Sequence, residues 1–188
     1  TPDSLRNGGP GRNYGLELTL EKFLDRGLYF LVTGSLFDSK YEGSDGVKRS
    51  TAFDNRYVAN VVAGKEFELK SKKADAKTKK WIVADLKVTA AGGQRYTPLN
   101  IERSMAEGRS VYREDIAYSE QFSDYFRMDL RVAYRMDFKN ASQEFAVDIQ
   151  NLTNHQNPLY LKYNSFTQEQ QIVYQIGIIP MMQYRVVF

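Results

Sequence analysis

Phe126, Met128, Leu130, Val132, Tyr134, Met136 and Phe138 take every second position of one stretch, and Arg127, Asp129, Arg131, Arg135 and Asp137 take positions between them. A period of two puts the two sets on opposite faces of a β-strand, whereas a helix would smear the apolar set around its circumference. The two rows make opposite demands. One needs a non-aqueous neighbour. The other cannot enter a packed core without partners, because an unpaired buried charge is costly. The chain must therefore fold so that this strand has an apolar layer on one side and water or compensating charge on the other.

The alternation recurs. Residues 14–24 set Leu16, Leu18 and Leu20 against Glu17, Thr19 and Glu21, and Asp25-Arg26-Gly27 reads as a tight hairpin into a second run at 28–41. Asp45-Gly46 marks a turn before a run at 57–69, where Lys65 interrupts the expected apolar row. Residues 81–91 place Ile82, Ala84, Leu86 and Val88 opposite Asp85, Lys87 and Thr89, and 144–152 place Phe145, Val147 and Ile149 opposite Glu144, Asp148 and Gln150. A long polar segment from 154 to 171 precedes a last strand, with Met182, Tyr184, Val186 and Phe188 on one parity and Met181, Gln183, Arg185 and Val187 on the other. No helical period stands out. The expectation is an all-β, antiparallel chain.

An aromatic-ended apolar row backed by Gln and Arg suits a barrel wall with lipid outside and water inside, although a sandwich strand could look similar. Composition does not decide between them. No run approaches the roughly 18 apolar residues of a spanning helix, and mean hydropathy is −0.52. A barrel passes that test unseen, because only alternate residues face lipid. The sequence has no cysteine, which removes disulfides, thiolate nucleophiles and cysteine metal sites together. A net charge of +3 over 188 residues is too small to name a partner. Connections at 25–27 and 139–142 are short, and those at 42–54, 93–124 and 154–174 are long. Outer-membrane barrels have short periplasmic turns and long outside loops, and only the lysine-rich connection at 70–80 exceeds the length its side predicts.

Asn13-Tyr14-Gly15-Leu16-Glu17-Leu18-Thr19-Leu20-Glu21-Lys22 resembles a strand of TonB-dependent outer-membrane receptors of the Bacteroidota type. Gly92-Gly93-Gln94-Arg95-Tyr96-Thr97-Pro98, Tyr125-Phe126-Arg127-Met128-Asp129-Leu130-Arg131 and Asp148-Ile149-Gln150-Asn151-Leu152-Thr153-Asn154 resemble further segments of that family. Gly177-Ile178-Ile179-Pro180, then Tyr184-Arg185 and Phe188, are similar to its last strand. The resemblance runs in order along almost all of residues 1–188. It implies the C-terminal part of a transmembrane β-barrel in the bacterial outer membrane, with long extracellular loops and energy-coupled import of a scarce or bulky ligand. The partners it implies are the rest of the barrel and its plug, a TonB-type energy-coupling protein, the barrel assembly machinery, outer-membrane lipid and, in some relatives, a surface lipoprotein. It implies no cofactor, no nucleic acid and no enzymatic step.

About seven strands are of membrane length, whereas transporters of this kind have 22 and an open sheet edge is not tolerated in lipid. The expectation is that further strands and a plug lie upstream of Thr1; no signal peptide is visible from Thr1 onward. Within this piece, Arg95, Tyr96, Tyr112, Arg113 and Tyr118 of the longest loop combine aromatic faces with cationic donors and are candidate ligand contacts. The competing expectation is that they are ordinary loop residues. Arg127, Asp129, Arg131, Arg135 and Asp137 are candidate lumen residues that pair with neighbouring strands or the plug. Met182, Tyr184, Val186 and Phe188 are a candidate assembly signal, so that Phe188→Ala should lower the amount of inserted protein and leave ligand affinity unchanged.

Other constellations are weak. His155 is the only histidine and has no serine or carboxylate beside it in sequence. Asp129 and Asp137 share a face but stand about 26 Å apart on an extended strand, too far for a glycosidase pair. No carboxylate and histidine cluster has metal-ligand spacing. Lys70, Lys72, Lys73, Lys77, Lys79 and Lys80 form a basic patch, but one without the interleaved aromatics of a nucleic-acid site. A soluble all-β carbohydrate- or ligand-binding domain, or a small outer-membrane barrel or adhesion protein, remains the alternative.

Overall fold

Seven long strands follow one another edge to edge in a single antiparallel sheet. The computed structural model describes residues 9–70 and 78–188, and its elements in chain order are β1 (Gly11–Asp25), β2 (Leu28–Glu42), β3 (Lys48–Ser50), β4 (Tyr57–Glu68), β5 (Lys79–Ala91), β6 (Arg95–Tyr96), α1 (Ile101–Glu107), β7 (Glu120–Gln121), β8 (Tyr125–Asp137), β9 (Ser142–Gln150), β10 (Pro158–Asn164), β11 (Glu169–Tyr174) and β12 (Ile179–Val187). The sheet order is β1-β2-β4-β5-β8-β9-β12, each long strand beside the next in sequence. Strand accounts for 62% of the described residues and helix for 6%, so the sheet positions everything else. β3 adds a short rung to β2, while β6–β7 and β10–β11 are separate two-stranded ribbons. The sheet is open, with β1 and β12 as its free edges.

Local chemistry accounts for the turns. Arg26 and Gly27 both have positive φ, 50° and 74°, the requirement of a two-residue type I′ hairpin, and Asp25 pairs Leu28 across it. The β8–β9 connection closes with the Phe138 N–H donating to the Ala141 carbonyl at 2.8 Å.

Register carries the alternation of each strand across the sheet. One level links Lys22, Phe30, Ala63, Leu86, Leu130, Ile149 and Pro180. The next two links of the same face run Lys65, Ala84, Val132, Val147, Met182 and Phe67, Ile82, Tyr134, Phe145, Tyr184. The opposite face carries the polar rows. Lys65 does lie on the apolar face, where the sequence made it an interruption. Its ammonium reaches back to the Arg26 carbonyl at 3.0 Å, so the stem covers apolar surface while the charge leaves at the short-turn end.

Among the described residues no second layer covers the apolar face. Leu16, Leu18, Met182 and Tyr184 are 79%, 74%, 79% and 63% exposed. Buried apolar residues gather in two small groups instead. Val83, Ala133 and Ala146, with Trp81 against them, lie on the polar face beneath long charged side chains. Leu99, Phe122, Leu161 and Tyr163, joined by Tyr96 and Ile101, lie among the long loops.

Two expectations need correction. The segment read as polar loop between 154 and 171 holds the β10–β11 hairpin, whose Leu161 and Tyr163 point into the loop core while Lys162 between them points away. The chain also has a helix. α1 starts at Asn100, whose side chain accepts the Arg103 N–H, and stops at Gly108 in the left-handed region.

Candidate functional site

The polar face is a network of ions centred on β8. Arg131 donates to Glu144 at 2.7 Å and to Asp148 at 3.2 Å on β9, reaches Gln183 on β12 at 3.1 Å, and lies 3.9 Å from Asp85 on β5. Arg135 spans β5 to meet Glu66 on β4 at 3.0 Å, lies 3.5 Å from Asp137, and stacks over the Trp81 ring at 5.5 Å. Arg127 pairs with Asp129 at 2.7 Å, and Asp129 also accepts the Asn151 N–H at 2.9 Å. Tyr29 crosses β4 and donates its hydroxyl to Asp85 at 2.7 Å. That crossing passes over Gly64, where a Cβ would stand 2.4 Å from the Tyr29 ring. Higher up, Thr89 donates to Asn60 at 3.0 Å and Asn60 to Thr33 at 3.3 Å. The face is thus lined with ion pairs and hydrogen-bonded hydroxyls around a cleft of about 200 Å³ that includes Asp85, Lys87, Asp129, Arg131 and Asp148, while the buried Trp81 Nε1 and Arg135 Nε have no hydrogen-bond partner.

The three long loops form one body at the opposite end from the short turns. Asp54 is its clamp. The carboxylate is fully buried and accepts from Lys40 on β2 at 2.9 Å and from the Ser39 N–H at 3.2 Å, with Arg95 Nε of the next loop 3.3 Å away. Burial alone would raise its pKa. The Lys40 ammonium, the Ser50 hydroxyl and the Ser39 N–H together outweigh burial and hold the carboxyl below its ordinary value. Arg49 ties the first loop to the second by donating to the Asp115 carbonyl at 2.9 Å, and its bonds to Asp45, with the Val47 N–H, keep that carboxyl far below the usual range. The third loop joins through Tyr112, whose hydroxyl donates to the Leu161 carbonyl at 2.9 Å, and through the Tyr163 N–H on Ser110 at 2.9 Å. Asn157, almost fully buried, pairs both its amide groups with the Phe126 backbone at 2.9 Å and so pins this loop to the top of β8.

This use of the loop residues bears on the candidate ligand contacts. Arg95 is 9% exposed and committed to Asp54 and to the Tyr118 carbonyl. Tyr96 stacks on Phe122 at 4.1 Å, and burial, helped by Glu120, raises its pKa. Tyr118 has φ 56°, donates its N–H to Thr97 and sets its ring edge-on to Tyr41. Tyr112 and Arg113 stay at the surface, Arg113 paired with Asp115 at 2.9 Å. The five residues are not brought together around one opening. Four of them hold the loop body together, Tyr112 through its hydroxyl, and only the Tyr112 ring and Arg113 also present a face outward.

The polar-face residues, by contrast, share one row of β8 and fall into three ion groups, around Arg127, Arg131 and Arg135. Met182, Tyr184 and Val186 share the apolar face through their pairing with Val147, Phe145 and Gln143. Phe188 follows the last residue of β12 and is 99% exposed. Of the basic patch, Lys79 and Lys80 begin β5, while Lys72, Lys73 and Lys77 lie outside the described residues. His155 packs its ring edge-on to Phe126 at 6.0 Å. Among the described residues no group of three or more His, Asp or Glu side chains could hold a metal ion, and no helix is long and apolar enough to cross a membrane.

Asp54, Asn157 and Gly64 were not singled out by sequence. Asn157 and Asp54 sit in loops of similar polar residues, and only the meeting of distant segments distinguishes them. No family model, curated protein or solved structure matches this chain.

Proposed function

We propose that the chain is part of the wall of an outer-membrane transporter of the TonB-dependent kind, lining its lumen and bearing the outside loops through which a ligand enters. The observation that carries this is the division of one continuous sheet into an uncovered apolar face and an ion-paired polar face. Dimensions support it. Tyr57 and Phe67 mark the ends of the apolar row on β4, and the ten residue-to-residue steps from one to the other span about 33 Å of strand, or about 25 Å of height at a tilt of roughly 40°. That is the height of the apolar band of an outer-membrane barrel. Lys65 leaving toward the short turns fits the same border.

In this role the polar face supplies the wall and the loop body supplies the outer surface, with the Tyr112 ring and the Arg113 guanidinium as its outward contacts. The chemistry asked of the chain is binding and passage, with no catalytic step. Energy coupling belongs to a plug and a TonB-type partner outside this chain, insertion to the assembly machinery that reads the β12 row ending in Phe188, and lipid to the apolar face. A soluble binding domain would have to cover Leu16, Leu18, Met182 and Tyr184 with a second layer, and the described residues contain none. The test is fractionation of the full-length protein in its own envelope. Recovery in the outer membrane, released by detergent only, is the expected result; recovery in the soluble fraction without detergent overturns the proposal.

A further inference from the structure

We infer that the free edge of β1 docks an antiparallel β-strand with apolar side chains on one face and, on the other, two basic residues four apart, opposite Glu17 and Glu21. The inference rests on the reading of the sheet as a wall that continues past β1, and it adds the chemistry of the neighbour.

The polar face sets the rule. From β4 to β9, Glu66, Asp85, Asp129, Asp137, Glu144 and Asp148 each lie within 4.0 Å of an arginine on β8, and only Glu68, at the end of β4, does not. Arg127, Arg131 and Arg135 are spaced four apart, so one basic strand serves the acidic strands on either side of it. β1 repeats the acidic half of this arrangement. Glu17 and Glu21 face the same side, opposite Ser35 and Leu31 of β2, neither of which is charged. Among the described residues neither glutamate has a cationic partner, and the only open neighbour is beyond the free edge.

The edge itself is made for pairing. β1 matches β2 without a bulge from Gly11 to Lys22 and contains no proline, and no described element lies beyond it. Edges that stay free in water are blunted by such devices. On the other face Leu16, Leu18 and Leu20 continue the apolar rows of the sheet, so the neighbour needs apolar residues there. A second copy meeting β1 to β1 about Thr19, with apolar faces aligned, would set glutamate against glutamate, which is unfavourable. Complementarity selects a basic strand.

A photo-crosslinking phenylalanine analogue replacing Thr19 in the full-length protein, irradiated in intact cells and followed by peptide sequencing of the adduct, tests this. The expected adduct is an alternating segment with Lys or Arg two positions to either side of the captured residue. A second probe at Leu20, on the other face, should capture the same segment, so one poorly folding variant does not decide the matter. Glu17→Lys with Glu21→Lys should cut the adduct about fivefold, the effect of roughly 1 kcal/mol of like-charge opposition. Reversing the captured basic residues to Glu should restore it. An acidic or neutral segment, a helix, lipid, a second β1, or no adduct at either site overturns the inference. Fractionating the same cells reads the wall proposal separately: a basic strand captured in a soluble protein would overturn the membrane role and leave the edge chemistry standing.

Discussion

Gly64 restricts its position more than its size suggests. A methyl group there would sit 2.4 Å from the Tyr29 ring and 2.3 Å from the Asp85 carboxylate, both on one side of β4. Gly64→Ala should therefore displace Tyr29, break its bond to Asp85 and cost about 1–3 kcal/mol, the usual range for an overpacked site. Thermal unfolding of the detergent-solubilised protein would measure it, and a value near zero would show that Tyr29 has another route. Asp54 is the counterpart in the loops. Asp54→Ala leaves Arg95 buried without its carboxylate, and loss of one partner from a buried pair costs about 3 kcal/mol or more. Limited proteolysis should then cut within residues 43–56 faster than in the parent. Because the Asp54 carboxyl is held below its ordinary value, its contribution is present above the unfolded pKa of about 3.9 and is lost as pH falls through the lower folded value. Protease resistance of the loops should thus be flat from pH 7 to about pH 4 and fall below that. A loss centred near pH 6 would point to another group. Neither residue could be picked from sequence, since the Asp54 side chain is identified only by Lys40 and Arg95 converging on it from two other segments.

Strands were far more legible, because alternation is a property of consecutive residues. The rows of β1, β5, β8, β9 and β12 could be read directly, and register then joined them into faces without exception for Leu86, Leu130 and Ile149. The β10–β11 hairpin escaped because it buries only one short stripe, Leu161 and Tyr163, while Lys162, Asn164, Glu169, Gln170 and Gln171 interrupt its apolar residues before an alternation can be read. α1 escaped because seven residues show barely two turns of periodicity, although Asn100 and Gly108 bracket it with ordinary caps. The two faces of one strand also make a discriminating prediction. Leu86→Arg places a cation halfway along the apolar face and should destabilise by about 2–4 kcal/mol if that face meets the bilayer midplane. On an exposed soluble sheet the same change would fall within about 0.5 kcal/mol of zero. Folded yield after refolding into detergent or lipid, compared with the parent, separates the two.

The sheet and loops together define two ends, and those ends can be told apart in cells. An epitope tag between Ser165 and Phe166, at the tip of the β10–β11 hairpin where Phe166 is 97% exposed, should be stained on intact cells. A tag between Asn140 and Ala141, in the β8–β9 turn, should be stained only after the envelope is opened. The reverse result would turn the wall over, and staining of neither on intact cells would remove it from the surface. Sequence made the ends visible as alternating short and long connections, but it could not show that the long ones are a single clamped body, because that depends on residues as distant as Arg49 and Asp115 or Tyr112 and Leu161. The strand path has one more consequence, and it is one of parity. Seven antiparallel strands in succession leave β1 and β12 running in the same direction. The sheet cannot join its own edges by an antiparallel seam, and neither can two upright copies placed side by side. An all-antiparallel ring through these seven must take an odd number of additional strands, the first and last of them running from the short-turn end toward the loops.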